Sequence, residues 1–193
     1  AQLLWVPRKQ RAEVRKGLAA DLTVSVGSAQ ADRDAHYAVY AESVRNLGTP
    51  VFPRALFDCV LDRFGDDADI LTVWHQDKPV SSVLSLYHKG DVMPYWGGGT
   101  WHARRLRAND RMYFELMLHA RRRGSARFDF GRSKTHSGAY DFKRNWGFEP
   151  EPLSCKQEGS MSARSRSSTG QRQPRPSTRK NSTILLPSLR IRS

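Results

Sequence analysis

Cationic and aromatic side chains are concentrated between residues 132 and 146. Four of these residues are cations and three are aromatic: Arg132, Lys134, Lys143, Arg144, Tyr140, Phe142 and Trp146. Cations bind phosphate or carboxylate groups, and rings stack on a nucleotide-like ligand. The stretch therefore predicts a site for an anionic, nucleotide-like ligand. The alternative is a purely structural strand, loop and helix with buried rings and solvated cations.

The elements around this stretch predict where such a ligand would lie. Residues 126–130 are typical of a buried strand that breaks at Gly131, and a short helix follows and ends at Gly147. Ligands of α/β proteins lie at the carboxyl ends of strands, where backbone N–H groups are freed. Arg132, Ser133 and Lys134 are thus candidates for binding phosphate or carboxylate. Asp129 could orient a cation or accept a proton, or it could be a buried partner of Arg132.

A second group of candidate binding residues follows the strand predicted over residues 92–96. Tyr95 and Trp96 could form the wall of an acceptor pocket, or they could simply pack. Gly97 and Gly98 would let the backbone approach a ligand closely, with a loose loop as the alternative. Asn109 is a further candidate binding residue, and Asn109 or Asp110 can cap the next helix.

The apolar pattern predicts one α/β (α+β) domain with a mixed, mainly antiparallel sheet flanked by helices. The predicted helices cover residues 8–18, 32–48, 53–65 and 109–124, and the strands cover 22–26, 70–75, 80–88, 92–96 and 126–130. Short turns containing Asp77 and Gly90 favour antiparallel hairpins between the middle three strands. The strands on either side of the fourth helix predict a right-handed crossover.

Composition divides the chain at residue 154. The 193 residues have a formal net charge of +13, of which +8 falls on residues 155–193. Residues 154–193 contain no Phe, Trp or Tyr and are rich in Ser, Arg and Pro. They are predicted to be a disordered basic tail, in which the apolar residues 184–186 are too few to matter. A reading frame that changes near residue 154 would explain the abrupt difference.

Several classes of site have no signal in the sequence. The two cysteines are not paired by spacing, and Cys59 is predicted to be a buried thiol on an apolar helix face. The six histidines lack metal-ligand spacing, so no metal site is expected. No apolar run is long enough to cross a membrane and no signal-peptide layout opens the chain, which predicts a cytoplasmic protein.

An ordered run of short motifs resembles a known family. FDFGRS at 128–133 and YDFKRNWGF at 140–148 are preceded by PRKQRAEVRKGL, YAESVRNLGTPVFP, YWGGGT and RAND. Together they resemble the FemAB-related proteins associated with exosortase/PEP-CTERM loci, within the GNAT-like acyltransferases. The resemblance covers residues 5–153. It implies a linker helix over 1–18, a GNAT-like domain over 19–153 that is incomplete at its C-terminus, and a missing N-terminal GNAT-like half.

The resemblance also implies an activity. It is the transfer of an acyl or aminoacyl group to an amino group of a cell-envelope or exopolysaccharide precursor. Phe142 and Lys143 match a pair implicated in holding an aminoacyl-tRNA end, with the lysine stabilising charge during transfer, so the resemblance makes Lys143 a catalytic candidate and Phe142 a donor contact. Asp129 is the second catalytic candidate, and Tyr140 and Trp146 are candidate donor contacts, on their residue types and positions. The donor, aminoacyl-tRNA or acyl-CoA, would be a co-substrate and no other cofactor is implied. The alternative is an inactive GNAT-like module whose basic tail binds RNA or anionic surfaces.

Overall fold

A five-stranded sheet with helices on both faces forms the centre of the protein. The computed structural model describes residues 3–134, 136–148, 151–152 and 183–185, the last two segments and residue 134 by their backbone alone. The helices are α1 (Arg8–Ala19), α2 (Gln30–Asn46), α3 (Arg54–Phe64), α4 (Ala103–Leu106), α5 (Ala108–Arg122) and α6 (Gly138–Asn145). The strands of the sheet are β1 (Thr23–Gly27), β2 (Ala68–His75), β3 (Lys78–His88), β4 (Asp91–Gly99) and β5 (Arg127–Phe128). The predicted mixed α/β fold is thus confirmed.

The sheet has the order β1-β2-β3-β4-β5, and all pairs but the last are antiparallel. Two tight turns explain why β2, β3 and β4 follow one another directly. Gln76 and Asp77 have φ of 50° and 59°, and Lys89 and Gly90 have φ of 47° and 82°. Consecutive residues with positive φ form the turn whose twist suits a two-residue hairpin. The predicted hairpins are confirmed.

The hydrophobic core lies in two layers, one on each face of the sheet. On β2, Leu71 and Val73 pack with α1 and α5, whereas Ile70 packs with Tyr40 of α2 and Phe57 of α3. This division follows from the alternation of side chains along a strand. Helices α1 and α5 therefore lie on one face of the sheet, and α2 and α3 lie on the other.

Strands β4 and β5 separate after only two paired residues. Asp91 and Val92 pair with Arg127 and Phe128, and the Asp129 N–H still donates to the Val92 carbonyl at 2.9 Å. Beyond this point β4 continues to Gly99 along β3, whereas the chain after β5 leaves the sheet. The strand predicted over 126–130 is therefore shorter than expected, and a gap opens between the two strand ends.

Three short strands make a second sheet. They are β6 (Ser133–Lys134), β7 (Glu151–Pro152) and β8 (Thr183–Leu185), and β8 lies between the other two. The prediction that the apolar residues 184–186 are too few to matter is wrong for the first two, because they lie in strand β8. The rest of the predicted tail over 154–193 lies outside the described residues.

Helix α1 is packed into the domain, because Val14 is fully buried and Gly17 packs against the start of α5. Two other predictions need correction. Neither Asn109 nor Asp110 caps α5, since Arg107 is the residue before its first turn. Cys59 is exposed, because α3 turns Phe57 and Leu61 inward instead. Within the described residues, none of the helices has both the length and the apolar character needed to cross a membrane.

Candidate functional site

A cavity of about 430 Å³ lies near the carboxyl end of β4, where Gly99 approaches the lining residues Ala103 and Asn109. Its wall comes from α1, from the α4–α5 junction that follows β4, and from α6. The lining residues are Lys9, Gln10, Glu13, Ala103, Arg104, Arg107, Asn109, Asp110, Phe142 and Asn145. Residues that are far apart in sequence therefore meet at the place where the carboxyl end of β4 becomes free.

The N-terminus of α5 contributes to this cavity. The first hydrogen bond of the helix runs from the Arg111 N–H to the Arg107 carbonyl at 3.0 Å, so the N–H groups of Ala108 and Asn109 have no acceptor within the helix, whereas the Asp110 N–H interacts with its own carboxylate. Arg107 has φ 55° and ψ 33° and provides no side-chain cap. A 15-residue helix that starts in this way attracts an anion through its free N–H groups and its dipole.

The charged side chains of the cavity have a net positive balance. Glu13 is occupied by an ion pair with Lys16 at 2.9 Å and another with Arg107 at 2.7 Å. The hydrogen bond from Lys16, followed by the charge of Arg107, lowers the pKa of Glu13. Burial raises the pKa of Asp110, and the Gln10 side-chain amide donates to its carboxylate at 2.5 Å. The three cations Lys9, Arg104 and Arg107 therefore outnumber the two acids Glu13 and Asp110 at the cavity.

Lys143 is buried beneath the chain that leaves β5. Its side chain is 9% exposed, and its Nζ donates to the carbonyls of Phe130 at 2.5 Å, Gly131 at 3.1 Å and Arg132 at 3.2 Å. Burial lowers the pKa of Lys143 to about 8, although the charge of Asp129 opposes this shift. In this arrangement Lys143 holds the backbone of 130–132 in place.

The polar residues after β5 have separate environments. The Asp129 Oδ1 accepts the Gly131 N–H at 2.7 Å, which stabilises the turn at Gly131, where φ is 64°. Arg132 is exposed, and no ion pair joins it to Asp129 in the described part of the chain. The Ser133 Oγ is buried without a hydrogen-bond partner. The side chain of Lys134 lies outside the described residues.

The aromatic candidates on α6 divide between the core and the cavity. Trp146 is fully buried, and Phe142 lies between it and Tyr113, with ring centroids 6.3 and 5.3 Å away. Phe142 also lines the cavity, whereas the half-buried Tyr140 lies near Arg144. Of the two residues predicted to act as a pair, Phe142 therefore faces the cavity and Lys143 supports its surroundings.

The candidates on β4 are explained largely by packing. The Trp96 ring packs edge-on against Phe57 at 5.1 Å, and Tyr95 is 59% exposed beside it. Gly97 and Gly98 lie in β4 and not in a loop. A Cβ on Gly98 would lie 2.4 Å from Ser43 Oγ and 2.6 Å from Ser43 Cβ, both on α2. Gly98 thus lets α2 approach the sheet closely.

Replacing Gly98 with alanine is expected to destabilise the protein by about 1–3 kcal/mol, because α2 must move away from β4. Urea unfolding of Gly98→Ala, with and without Ser43→Gly, measures this effect. The second substitution should restore much of the loss. Gly138→Ala is the control, since a Cβ there meets nothing within 4 Å. Equal stability of Gly98→Ala and the parent would contradict the packing role.

Two of the candidate binding residues, Phe142 and Asn109, are brought together at the cavity. Asn109 also accepts a hydrogen bond from Ser81 Oγ at 2.6 Å, which ties the start of α5 to β3. The sequence reasoning missed Lys9, Arg104, Arg107 and Asp110 as cavity residues. The motifs at 7–18 and 107–110 were the available signal, because they contain three of these four residues.

The chain folds as an α/β protein with a cavity at the N-terminus of α5 in which cationic side chains outnumber acidic ones. The chain belongs to the GNAT acetyltransferase family, since the family model described as "Acetyltransferase (GNAT) domain" matches residues 8–144. No curated protein sequence matches the chain significantly.

Solved structures share the fold at low sequence identity. FemX is 15% identical with a TM-score of 0.68, over 75% of this chain and 55% of FemX. The ribosomal-protein-S18-alanine N-acetyltransferase from Escherichia coli is 12% identical with a TM-score of 0.56, over 72% of this chain and 86% of that enzyme. An acetyltransferase from Bacillus subtilis in complex with CoA is 11% identical with a TM-score of 0.51, over 67% and 78%. The chain thus spans about half the length of FemX.

Proposed function

We propose that this chain is a FemAB-related, cytoplasmic transferase that moves an acyl or aminoacyl group from a phosphate-bearing donor to an amino group. The observation that carries the proposal is the cationic cavity at the N-terminus of α5. Helix N–H groups and the side chains of Lys9, Arg104 and Arg107 suit a phosphate. The cavity lies near the carboxyl end of β4, and a donor held there would extend its reactive end toward the residues that follow β5.

Acyl-CoA and aminoacyl-tRNA both carry phosphates and therefore share the chemistry that the cavity would recognise. The fold similarity to an acetyltransferase in complex with CoA supports the first donor. The Phe142–Lys143 pair and the similarity to FemX support the second. The acceptor is proposed to be an amino group of a cell-envelope or exopolysaccharide precursor, on the basis of the motif resemblance. The similarity to an alanine N-acetyltransferase supports an amine acceptor.

The proposed reaction needs a positioned donor and an acceptor amine that has lost its proton. The amine nitrogen attacks the donor carbonyl, a C–N bond forms, and the C–S bond of a thioester or the C–O bond of an ester breaks. The amine proton must then be accepted, and we assign this role to Asp129, which lies close enough to Lys143 to affect its pKa. Lys143 would act by holding the backbone of 130–132 and by contributing positive charge.

Donor titrations with a variant in which a large side chain fills the cavity test the proposal. Asn145 is the last residue of α6 and lines the cavity, so Asn145→Trp should weaken donor binding by about tenfold or more. Isothermal titration with acyl-CoA and, separately, with aminoacyl-tRNA distinguishes the two donors. Asn46→Trp is the matched control, because Asn46 is the exposed last residue of α2.

Transfer to a model amine is then measured with whichever donor binds. Loss of donor binding and transfer in Asn145→Trp, with both retained in Asn46→Trp, supports the proposal. Binding of either donor that is unchanged in Asn145→Trp would overturn the assignment of the cavity. Binding of tRNA without transfer, regardless of aminoacylation, would favour the inactive RNA-binding module instead.

A further inference from the structure

An open apolar groove lies on the outer face of the protein, between the segment before α1, α1 itself and α5. It has a volume of about 670 Å³, and its lining includes Leu4, Leu18, Phe114 and Leu118 together with Arg11 and Arg15. Leu4 is 71% exposed and Leu18 is 36% exposed. Two leucines that project beside a groove with an apolar floor form an exposed patch of the kind that marks an interaction surface.

Leu4 is held in its exposed position by defined contacts. The Arg11 guanidinium donates to the Leu4 carbonyl at 3.2 Å and to the Val6 carbonyl at 3.0 Å. The neighbouring Trp5 ring stacks on Phe114 with centroids 6.3 Å apart and an angle of 17° between the rings. The backbone before α1 is therefore fixed against α5, which directs Leu4 outward.

The charge around the groove is positive. Helix α1 carries five cations, Arg8, Lys9, Arg11, Arg15 and Lys16, against the single acid Glu13. Glu13 is neutralised by ion pairs with Lys16 and Arg107. The acid that lines the groove, Glu115, pairs with Arg111 at 3.0 Å. Arg11 and Arg15 are thus left as the charges of the groove rim.

We propose that this groove is a binding surface for an anionic phospholipid bilayer. Leu4 and Leu18 would enter the boundary between headgroups and acyl chains, and Arg11 and Arg15 would contact lipid phosphates. Apolar residues next to Lys and Arg on one face are the combination that binds peripheral proteins to anionic membranes. This binding surface is separate from the donor cavity, and the inference does not depend on the proposed transfer reaction.

Other occupants fit the groove less well. Single-stranded RNA is bound through exposed rings on which bases stack, whereas the exposed side chains here are aliphatic. A second copy of the chain, docked by the same groove around a two-fold axis, would place two copies each of Arg11 and Arg15 in one interface. Like charges at such a contact oppose association. A bilayer of anionic lipids matches both the apolar floor and the cationic rim.

Co-sedimentation of the full chain with vesicles tests the inference. Vesicles of phosphatidylcholine alone are compared with vesicles that also contain phosphatidylglycerol, and the chain should bind only the second kind. The double variant Leu4→Ser/Leu18→Ser should lower partitioning by about tenfold or more. Arg15→Gln should lower it by about fivefold. Leu47→Ser/Phe64→Ser is the control, since both residues are exposed, at 72% and 47%, on helices of the opposite face.

Circular dichroism of each variant confirms that it is folded before binding is measured. Equal binding of anionic vesicles by the parent and by Leu4→Ser/Leu18→Ser would overturn the inference, because general attraction by basic residues would then explain it. Absence of binding to anionic vesicles would also overturn it. A dimer in sedimentation experiments that Leu4→Ser abolishes would assign the groove to a second copy and would equally contradict the membrane surface.

Discussion

Replacing Lys143 with methionine is expected to lower the free energy of unfolding by about 2–4 kcal/mol. Methionine has a similar length and keeps the contact with the surrounding rings, but it cannot donate to the carbonyls of residues 130–132. Three backbone acceptors would lose their partner in a largely buried place. Urea denaturation measures the effect, and Lys78→Met, at the exposed start of β3, is the control.

The pH dependence of this effect follows from the pKa of Lys143. Its pKa is about 8 in the folded protein, against an ordinary value of 10.5. Between these values the unfolded chain binds more protons at this residue than the folded one, so the stability contributed by Lys143 rises with pH. The difference between the parent and Lys143→Met should therefore widen from pH 8 to 10.5. A difference that narrows over this range would contradict the assignment of the lowered pKa to the burial of the Lys143 ammonium.

The Lys143→Met variant also distinguishes a structural role of Lys143 from a catalytic one. If Lys143 acts only by holding residues 130–132, the transfer rate of the folded fraction should fall together with donor affinity. If its charge also stabilises the transition state, kcat should fall while the affinity for the donor is retained. Measurement at a temperature where Lys143→Met is fully folded keeps stability out of the comparison.

Reversing the charge of Arg104 should weaken donor binding by about 10- to 100-fold. Arg104 lines the cavity, and its guanidinium lies 5.4 Å from the centre of the exposed Trp101 ring, which restricts where the charge can be. Arg104→Glu removes an attractive charge and adds a repulsive one where the donor phosphate is proposed to bind. The dissociation constant and KM for the donor should both rise, with little change in kcat.

Arg105→Glu is the matched control for this experiment. Arg105 is the next residue in α4 and is exposed, but it does not line the cavity. Both variants change the net charge equally, so a general electrostatic effect would weaken donor binding in both. An equal loss of affinity in the two variants would show that the cavity does not select the donor. Salt titration of each variant measures how much of the remaining affinity is long-range attraction.

The sequence predicted the sheet well because its signals are local. The strands β2, β3 and β4 are apolar runs separated by turn residues such as Asp77 and Gly90, and the turns fix their order. The length of β5 was not predictable in the same way. Its pairing ends where the chain after Phe128 leaves β4, and that point depends on the tertiary position of Lys143 and α6.

The candidate site was predicted only in part, because it is assembled from four helices. Phe142 and Asn109 were found from motifs, but Lys9 and Arg104 become cavity residues only when α1 packs against α5. The glycines of β4 show the opposite error. The glycine-rich run that contains Gly98 is typical of a ligand-binding loop, but in the structure the Ser43 side chain occupies the space beside Gly98. A sequence gives the residue type, but not which neighbour takes the space that the residue leaves.

The left-handed backbone at Arg107 has a consequence for engineering. A residue with a side chain at φ 55° makes the folded state about 1 kcal/mol less stable than glycine at the same position would. Glycine at this position would relax the junction between α4 and α5, but it would remove the guanidinium that pairs with Glu13 and faces the cavity. Efforts to make the protein more thermostable would therefore meet a trade-off here, where heat resistance is gained at the expense of affinity for the donor.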